Sequence, residues 1–213
     1  NGNPELDPWR SENYSLSAEW YTGDASMAYI ATYGIDIESF TEPGTVYLDE
    51  PDGDGVRRGP VQENGEKGHP FSVNLQGAGG DIQGYEVGTK VAFSDFLGTD
   101  SFLANVGLDA NYTYTSSTQE TKDHKGDDLP FAGMSKNTYN FVLWYEQEEF
   151  SGRIAYNSRS PRLHTQGNAA TANQALYQDT YSQVDVNFTY NWDENISVYL
   201  NGANIFEEYQ QTY

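Results

Sequence analysis

From Phe102 to Tyr114 every second residue is apolar or aromatic, running Phe102, Ala104, Val106, Leu108, Ala110, Tyr112, Tyr114. Beyond Leu103, the residues between them are Asn105, Gly107, Asp109, Asn111 and Thr113. A strand points successive side chains to opposite faces, whereas a helix would scatter these residues around its circumference. The spacing therefore predicts a strand over 102–115 with one greasy and one wet face. The alternation lasts 13 residues. A soluble strand averages about 5–6 residues, and a tilted strand that crosses a bilayer needs about 9–11.

The same period recurs along the chain. Tyr14, Leu16, Ala18 and Trp20 predict a strand of roughly Arg10–Tyr21, followed by a short turn at Thr22–Ala25 in which Gly23 accepts positive φ cheaply. Met27, Tyr29, Ala31, Tyr33, Ile35 and Ile37 carry a second strand to about Phe40, with that set as its greasy face. Thr41–Pro70, rich in Gly, Pro, Asp and Glu, is expected to be a long loop. Val73 and Leu75 begin a third strand near Phe71. Gly77, Gly79, Gly80 and Gly84 suggest bulges or a bend before Tyr85, Val87, Val91 and Phe93 resume its apolar face. Ser94–Asp100 reads as a short connection and Ser116–Gly133 as a polar loop. Tyr139, Phe141, Leu143 and Tyr145 descend, Gln147-Glu148-Glu149 turns, and Gly152, Ile154 and Tyr156 return. After a polar loop at Arg159–Gln178, Val184, Val186, Phe188, Tyr190 and Trp192 descend, Asp193-Glu194-Asn195 turns, and Ile196, Val198 and Leu200 ascend.

The connections alternate short and long. About eight antiparallel strands result, with every tight turn at one end and every long loop at the other. Bacterial outer-membrane barrels have this asymmetry, with short periplasmic turns and longer extracellular loops. A soluble β-sandwich also alternates apolar and polar residues but has no reason to sort its loops by length. The expected fold is all-β, an antiparallel transmembrane β-barrel segment. Tyr and Trp prefer membrane interfaces, and Trp20, Tyr21, Tyr145, Tyr190 and Trp192 fall beside the short turns, while Tyr33, Tyr112 and Tyr114 fall toward the long loops.

Composition sharpens this. Eleven Lys and Arg against 32 Asp and Glu give a net charge of -21, which repels phosphate backbones and disfavours nucleic acid as a partner. The 15% aromatic content argues for a folded chain despite the acidity. There is no cysteine, so disulfide and thiolate chemistry are excluded. No run reaches the ~18–20 apolar residues of a membrane helix. A mean hydropathy of -0.73 suits a barrel with long polar loops, because lumen-facing residues dilute the lipid face.

Several stretches then resemble one family in its own order. Asn3-Pro4-Glu5-Leu6-Asp7-Pro8-Trp9-Arg10-Ser11-Glu12-Asn13-Tyr14 with Glu19-Trp20-Tyr21 resembles the entry to a late barrel strand of TonB-dependent outer-membrane receptors. Gly80-Asp81-Ile82-Gln83-Gly84-Tyr85-Glu86-Val87-Gly88 is similar to their recurring G-x-I-x-G-x-E strand. Asn111–Thr115 and Leu129–Lys136 resemble a strand top and the re-entry after a surface loop, and Asn201–Tyr209 resembles a near-terminal N-x-x-N-[LI]-F-[DE]-x-x-Y element. The resemblance implies that residues 1–213 are the C-terminal part of a barrel of about 22 strands. It implies an outer-membrane location, lipid and lipopolysaccharide around the strands, a plug domain and further strands, a TonB complex that supplies energy, and a small nutrient ligand. In the family one more strand follows the Phe206–Tyr209 element. This chain ends at Tyr213 and shows no plug or energy-coupling box, so it is expected to be a segment of a receptor.

The chemistry of the residues is that of binding. No Gly-x-Ser-x-Gly elbow, phosphate loop or paired acid and base stands out, so no catalytic residue is assigned, and the resemblance implies a transporter and not an enzyme. Asp49–Gly55 has carboxylates at alternate positions but lacks EF-hand spacing, and His69, His124 and His164 are far apart in the sequence, so no metal or cofactor is expected. On the wet strand faces Asn105, Asp109, Asn111, Asn140, Glu146, Arg153, Asp185, Asn187 and Asn201 would line a lumen. Trp144 falls on that face too, where it either stacks on a ligand or packs against the plug. Tyr47, Arg57, Arg58, His124, Arg159, Arg162, His164 and Tyr177 would ring the outer mouth. Of these positions Trp144, Asn111, Asn140 and Arg153 on the wet faces and the eight at the mouth are the candidate ligand-binding residues. The acidic balance favours an oligosaccharide over an anionic ferric siderophore. The alternative is a non-transporting structural or adhesive β protein, either a small barrel or a soluble β-sandwich carbohydrate-binding module.

Overall fold

The computed structural model describes residues 6–48, 69–77, 79–98, 101–123, 125–167 and 174–213. Its strands are β1 (Arg10–Tyr21), β2 (Met27–Leu48), β3 (His69–Gly77), β4 (Gly80–Ala92), β5 (Val106–Lys122), β6 (Asp128–Leu129), β7 (Asn137–Glu146), β8 (Phe150–Arg159), β9 (Arg162–Thr165), β10 (Leu176–Gln178), β11 (Tyr181–Asp193) and β12 (Ile196–Gly202). A short helix α1 (Ser94–Leu97) and a 3-10 turn at Phe102–Asn105 lie between β4 and β5. The chain forms two units. One contains 1–12 and 36–79, the other 13–35 and 80–213.

In the larger unit the strands follow one another as a meander, β1-β2-β4-β5-β7-β8-β11-β12, each antiparallel pair joined at one end by a short connection and at the other by a long one. The register runs without a shift from Val91↔Leu108 to Tyr85↔Tyr114 between β4 and β5, and from Val106↔Tyr145 to Tyr114↔Asn137 between β5 and β7. It continues through Leu143↔Ile154 and Val186↔Ile154 into β8 and β11. One face therefore carries Val91, Leu108, Leu143 and Ile154 in one row and Thr89, Ala110, Phe141 and Tyr156 in the next. Leu143 is 43% and Phe141 47% exposed, so no second layer covers this face. Val106, Leu108 and Phe188 are half-buried by in-sheet neighbours and Tyr190 is exposed, which excludes a two-layer sandwich core.

The smaller unit pairs the second half of β2 with β3, from Phe40↔Gly77 to Leu48↔His69. Trp9 closes its base, with its ring 6.4 Å from Phe40 and Nε1 donating to Thr41 Oγ1 at 3.0 Å.

Four expectations are corrected. The loop expected at Thr41–Pro70 is strand at both ends, because backbone pairing of β2 with β3 continues through residues whose side chains need not alternate. For the same reason β5 runs on to Lys122, past the expected start of a loop at Ser116. The glycines at 77–80 mark a break between two strands, while Gly84 sits inside β4 without a register shift. The strand expected from Phe102 begins at Val106. Residues 102–105 form the 3-10 turn, which the Ser101 hydroxyl caps by accepting from Leu103 N, and Phe102 lays its ring 5.1 Å from Tyr145.

The greasy face of β2 is the other correction of consequence. Tyr29 donates to Glu86 Oε1, and the Tyr33 hydroxyl lies 2.6 Å from Thr115 Oγ1, both on the polar face of β4 and β5. Ile30, 54% exposed, points the opposite way. A tyrosine can serve a wet face when its hydroxyl finds a partner, and its ring here covers glycine: a Cβ on Gly88 or Gly84 would collide with Tyr29 or Tyr33.

Candidate functional site

The polar face is built in rows by the register. Asn111, Asn140, Asn157 and Gln183 lie directly opposite one another on β5, β7, β8 and β11, an amide row four strands wide. Asn111 Nδ2 donates to Glu86 Oε1 at 3.0 Å, which joins this row to the Tyr29 hydroxyl. Toward the short-turn end the next but one row reads Gly107, Trp144, Arg153, Asn187 and Asn201. Trp144 lies over Gly107, where any Cβ would overlap the indole, so the glycine makes room for the ring. Arg153 is exposed beside it, and Asn187 Nδ2 donates to Asn201 Oδ1 at 2.9 Å. Trp144, Arg153 and Asn187 line, with Glu146, Ser151 and Thr189, a cavity of about 190 Å³.

The second cluster sits at the long-loop end. Arg159 closes β8 and Arg162 opens β9. Arg159 Nη1 donates to the Asp179 carbonyl at 3.2 Å, and Arg162 Nε donates to Gln178 Oε1 at 2.8 Å, so two consecutive residues hold the two guanidinium groups side by side. Arg159 also lies over the Tyr181 ring at 5.6 Å, and its Nη2 is buried without a hydrogen-bond partner. Among the described residues no carboxylate forms an ion pair with either arginine. Arg162, Tyr177, Lys136 and the Thr115, Ser116 and Ser117 segment line a cavity of about 200 Å³. Burial first, then the Asp123 carboxylate and Tyr213, push the Tyr177 phenol above its ordinary pKa, so it remains a neutral hydroxyl in neutral water.

Around that cavity the loops have a small core of their own. Leu163 is 0% and Leu129 3% exposed. Gln119, buried and in register with Leu129, donates to the Pro130 carbonyl and accepts from Gln166, both at 2.9 Å. The segment after β12 reaches the same end. Asn204, at φ 49°, exchanges hydrogen bonds of 3.0 Å with the Glu208 backbone, and Tyr213 pairs with Tyr177.

Of the candidate residues, the structure brings together Asn111 with Asn140, Trp144 with Arg153, and Arg159 with Arg162 and Tyr177. His164 is exposed on β9. The Tyr47 backbone pairs with Pro70 and its side chain lies outside the described residues, as do Arg57, Arg58, His124 and the acidic Asp49–Gly55 stretch. The sequence reading omitted Asn157, Gln183 and Lys136. For the first two the signal was present, since both have the parity of the polar face on strands already identified. Lys136 carried none, because it lies where the chain re-enters the sheet.

No curated protein matches the chain. Solved structures do. The ferric enterobactin receptor PfeA of Pseudomonas aeruginosa is 16% identical with a TM-score of 0.60, over 93% of this chain and 26% of that one. The siderophore receptor PirA of Acinetobacter baumannii is 17% identical with a TM-score of 0.62, over 97% of this chain and 29% of that one. The ferric-catecholate import receptor Fiu of E. coli K12 is 14% identical with a TM-score of 0.62, over 97% of this chain and 24% of that one. The chain thus spans about a quarter of the length of these structures. The family model for the TonB dependent receptor-like beta-barrel matches residues 1–205. Together with the eight-stranded meander and its two unlike faces, that match over nearly the whole chain assigns the protein to the TonB-dependent receptor beta-barrel family of the bacterial outer membrane.

Proposed function

We propose that this segment forms the ligand-gripping wall of an outer-membrane active-transport receptor, which binds a scarce nutrient at its outer mouth and imports it with TonB-supplied energy past a plug. It is a transporter and carries out no covalent chemistry. The observation that supports this reading is the pairing of an uncovered apolar face and a polar face with two neighbouring arginines, Arg159 and Arg162, at the long-loop end.

The ligand reading turns on which charge is local. The net charge of -21 favours a neutral oligosaccharide. That charge is spread over the chain and screened within about 8–10 Å at physiological salt. Arg159 and Arg162, held side by side by Gln178 and Asp179, act at contact distance. Planar guanidinium forks suit carboxylate or catecholate oxygens. The named activities of the solved relatives, ferric enterobactin and ferric-catecholate receptors, point the same way. The favoured ligand is therefore an anionic ferric chelate, with the oligosaccharide as the second reading.

Binding of a ferric catecholate and of a maltooligosaccharide to the full-length receptor tests this. Replacing both arginines by alanine removes charge-assisted hydrogen bonds of about 1.5–3 kcal/mol each, so chelate affinity falls by at least about 100-fold. Unchanged chelate binding together with tight oligosaccharide binding would overturn the choice of ligand.

A further inference from the structure

Past Gly202 the chain keeps company with the sheet. Ile205 N donates to the Val184 carbonyl at 3.0 Å, and Asp179 N donates to the Gln211 carbonyl at 2.9 Å, so residues 203–213 follow β11 outward and reach the segment that precedes it. From Val186↔Gly202 onward the segment carries more residues than the strand beside it. The surplus falls where Asn204 and Glu207 take left-handed conformations, φ 49° and 56°. A left-handed glutamate is uncommon and costs backbone strain, which the contacts on either side must outweigh. At the far end Tyr177 and Tyr213 exchange both backbone hydrogen bonds, at 2.8 and 2.9 Å, and stack their rings at 6.1 Å. Residues 211–213 thereby add a further strand to the β9–β10 pair.

The patch is drawn from three separate outer connections. Ser135, Arg162, Gln178 and Thr212 lie in one cross-strand row, and Leu163, Tyr177 and Tyr213 in the next. Directly opposed residues share a face, so one row carries the buried Leu163 and two tyrosines while the other carries Arg162 among polar neighbours. Residues 177–179 stand in the middle of this patch. On one side they hold the arginines, through Gln178 Oε1 to Arg162 and the Asp179 carbonyl to Arg159. On the other side they are held by 211–213. A strand of three residues is too short to keep its place with one neighbour alone. We infer that residues 211–213 are a positioning element for the nutrient, which sets the spacing of the Arg159 and Arg162 guanidinium groups by pairing with 177–179 before the ligand arrives. None of the three needs to touch the ligand. The inference rests on the reading that the two arginines grip an anionic chelate, and it adds that their geometry is fixed by a different outer connection from the one that carries them.

The test uses the full-length receptor and a ferric catecholate. Tyr213→Pro removes the amide that donates to the Tyr177 carbonyl. The ligand must then order both arginines itself, which lowers affinity about 10-fold. Tyr213→Phe keeps the backbone bonds and the ring stack and recovers wild-type affinity. Tyr209→Ala, exposed in the same segment, leaves affinity unchanged. Two readouts separate positioning from general loosening. Chelate binding by Tyr213→Pro should depend less steeply on salt than wild type, as it does when both arginines are alanine. Tyr213→Pro should also cost almost nothing further in that double-alanine background. Amide exchange at Tyr177 and Asp179, measured without ligand, should speed up in Tyr213→Pro. Unchanged exchange, faster exchange with wild-type chelate affinity, or a loss fully additive with the arginine substitutions would each overturn the inference while leaving the ligand reading intact. Chelate binding that survives loss of both arginines would instead sink the ligand reading, and the inference with it.

Discussion

The middle of the sheet and the cluster of outer loops are made by one chain and stabilised in opposite ways. In the sheet the largest apolar side chains are the exposed ones: Leu143 and Ile154 stand about two-fifths open, and what is buried there is small, such as Ala155. In the loops Leu163 and Gln119 are the largest side chains with no accessible surface to speak of, and the buried amide both donates and accepts. A sheet surrounded by hydrocarbon needs no core, since the solvent supplies the apolar contacts and the ladder satisfies the backbone. Loops in water have no such solvent and must bury apolar groups against each other to hold a shape. Hydrophobic side chains point outward in one region and inward in the other because the surroundings change along the strands.

The largest expected effect comes from the loop side. Leu163→Ala leaves a cavity that nothing refills and should cost the loop cluster about 2–5 kcal/mol. Limited proteolysis of the 160–180 segment would accelerate while the heat-resistant mobility of the barrel on gels stays unchanged. If both change together, the loops and the sheet form one cooperative unit and the contrast fails. The corresponding sheet variant Leu143→Ala loses only the transfer part, because lipid tails close the gap. Leu143→Arg, near the middle of the apolar band, should cost about 2–4 kcal/mol in urea titrations of vesicle-inserted protein. A neutral result for Leu143→Arg would mean that this face does not meet lipid.

A smaller effect probes the polar face. Gly107→Val pushes a side chain into the Trp144 ring, and overpacking of this kind typically costs about 1–3 kcal/mol. Trp144 should also swing toward the lumen, which a red shift in its fluorescence against the remaining tryptophans would report. No shift would show that the ring has a second resting place.

What could be seen beforehand divides along the same line. Where lipid imposes alternation, the sequence carries it. The bounds of β1, the β7–β8 hairpin and the opposition of Trp144 with Arg153 follow from parity and tight turns, and parity alone puts Asn111 and Asn140 on the polar face. The phase of β2 does not, because Tyr29 and Tyr33 have both an apolar ring and a hydroxyl, and only the neighbours Glu86 and Thr115 decide which of the two is used. Nor does the start of β5, since Phe102 and Ala104 keep the period of a strand through a 3-10 turn. Outside the bilayer no period is enforced. The core of Gln119, Leu129 and Leu163 is assembled from pieces far apart in the sequence, and the approach of Arg159 to Arg162 depends on Gln178 and Asp179, which no local pattern links to them.

The short-turn end provides the mildest case, a loop held by polar contacts instead of a core. Asp95, on α1, accepts from Ala25 N at 3.1 Å, and Ser26, 1% exposed, accepts from Ala92 N at 3.0 Å. The Ser26 hydroxyl first, then the backbone amides of the β1–β2 turn, hold the Asp95 carboxyl below its usual pKa. Because the folded value is depressed, the stabilisation is complete above the ordinary carboxylate range and disappears as pH falls through the folded value. Amide exchange at Ala25 should therefore speed up only in that acidic window, by a few-fold at most since the carboxylate is solvent-exposed. Asp95→Asn should flatten the pH dependence without disturbing the loop cluster at the other end. Acid-induced loosening that begins at the outer loops in the Asp95→Asn protein would show instead that the two ends of the strands are coupled through the sheet.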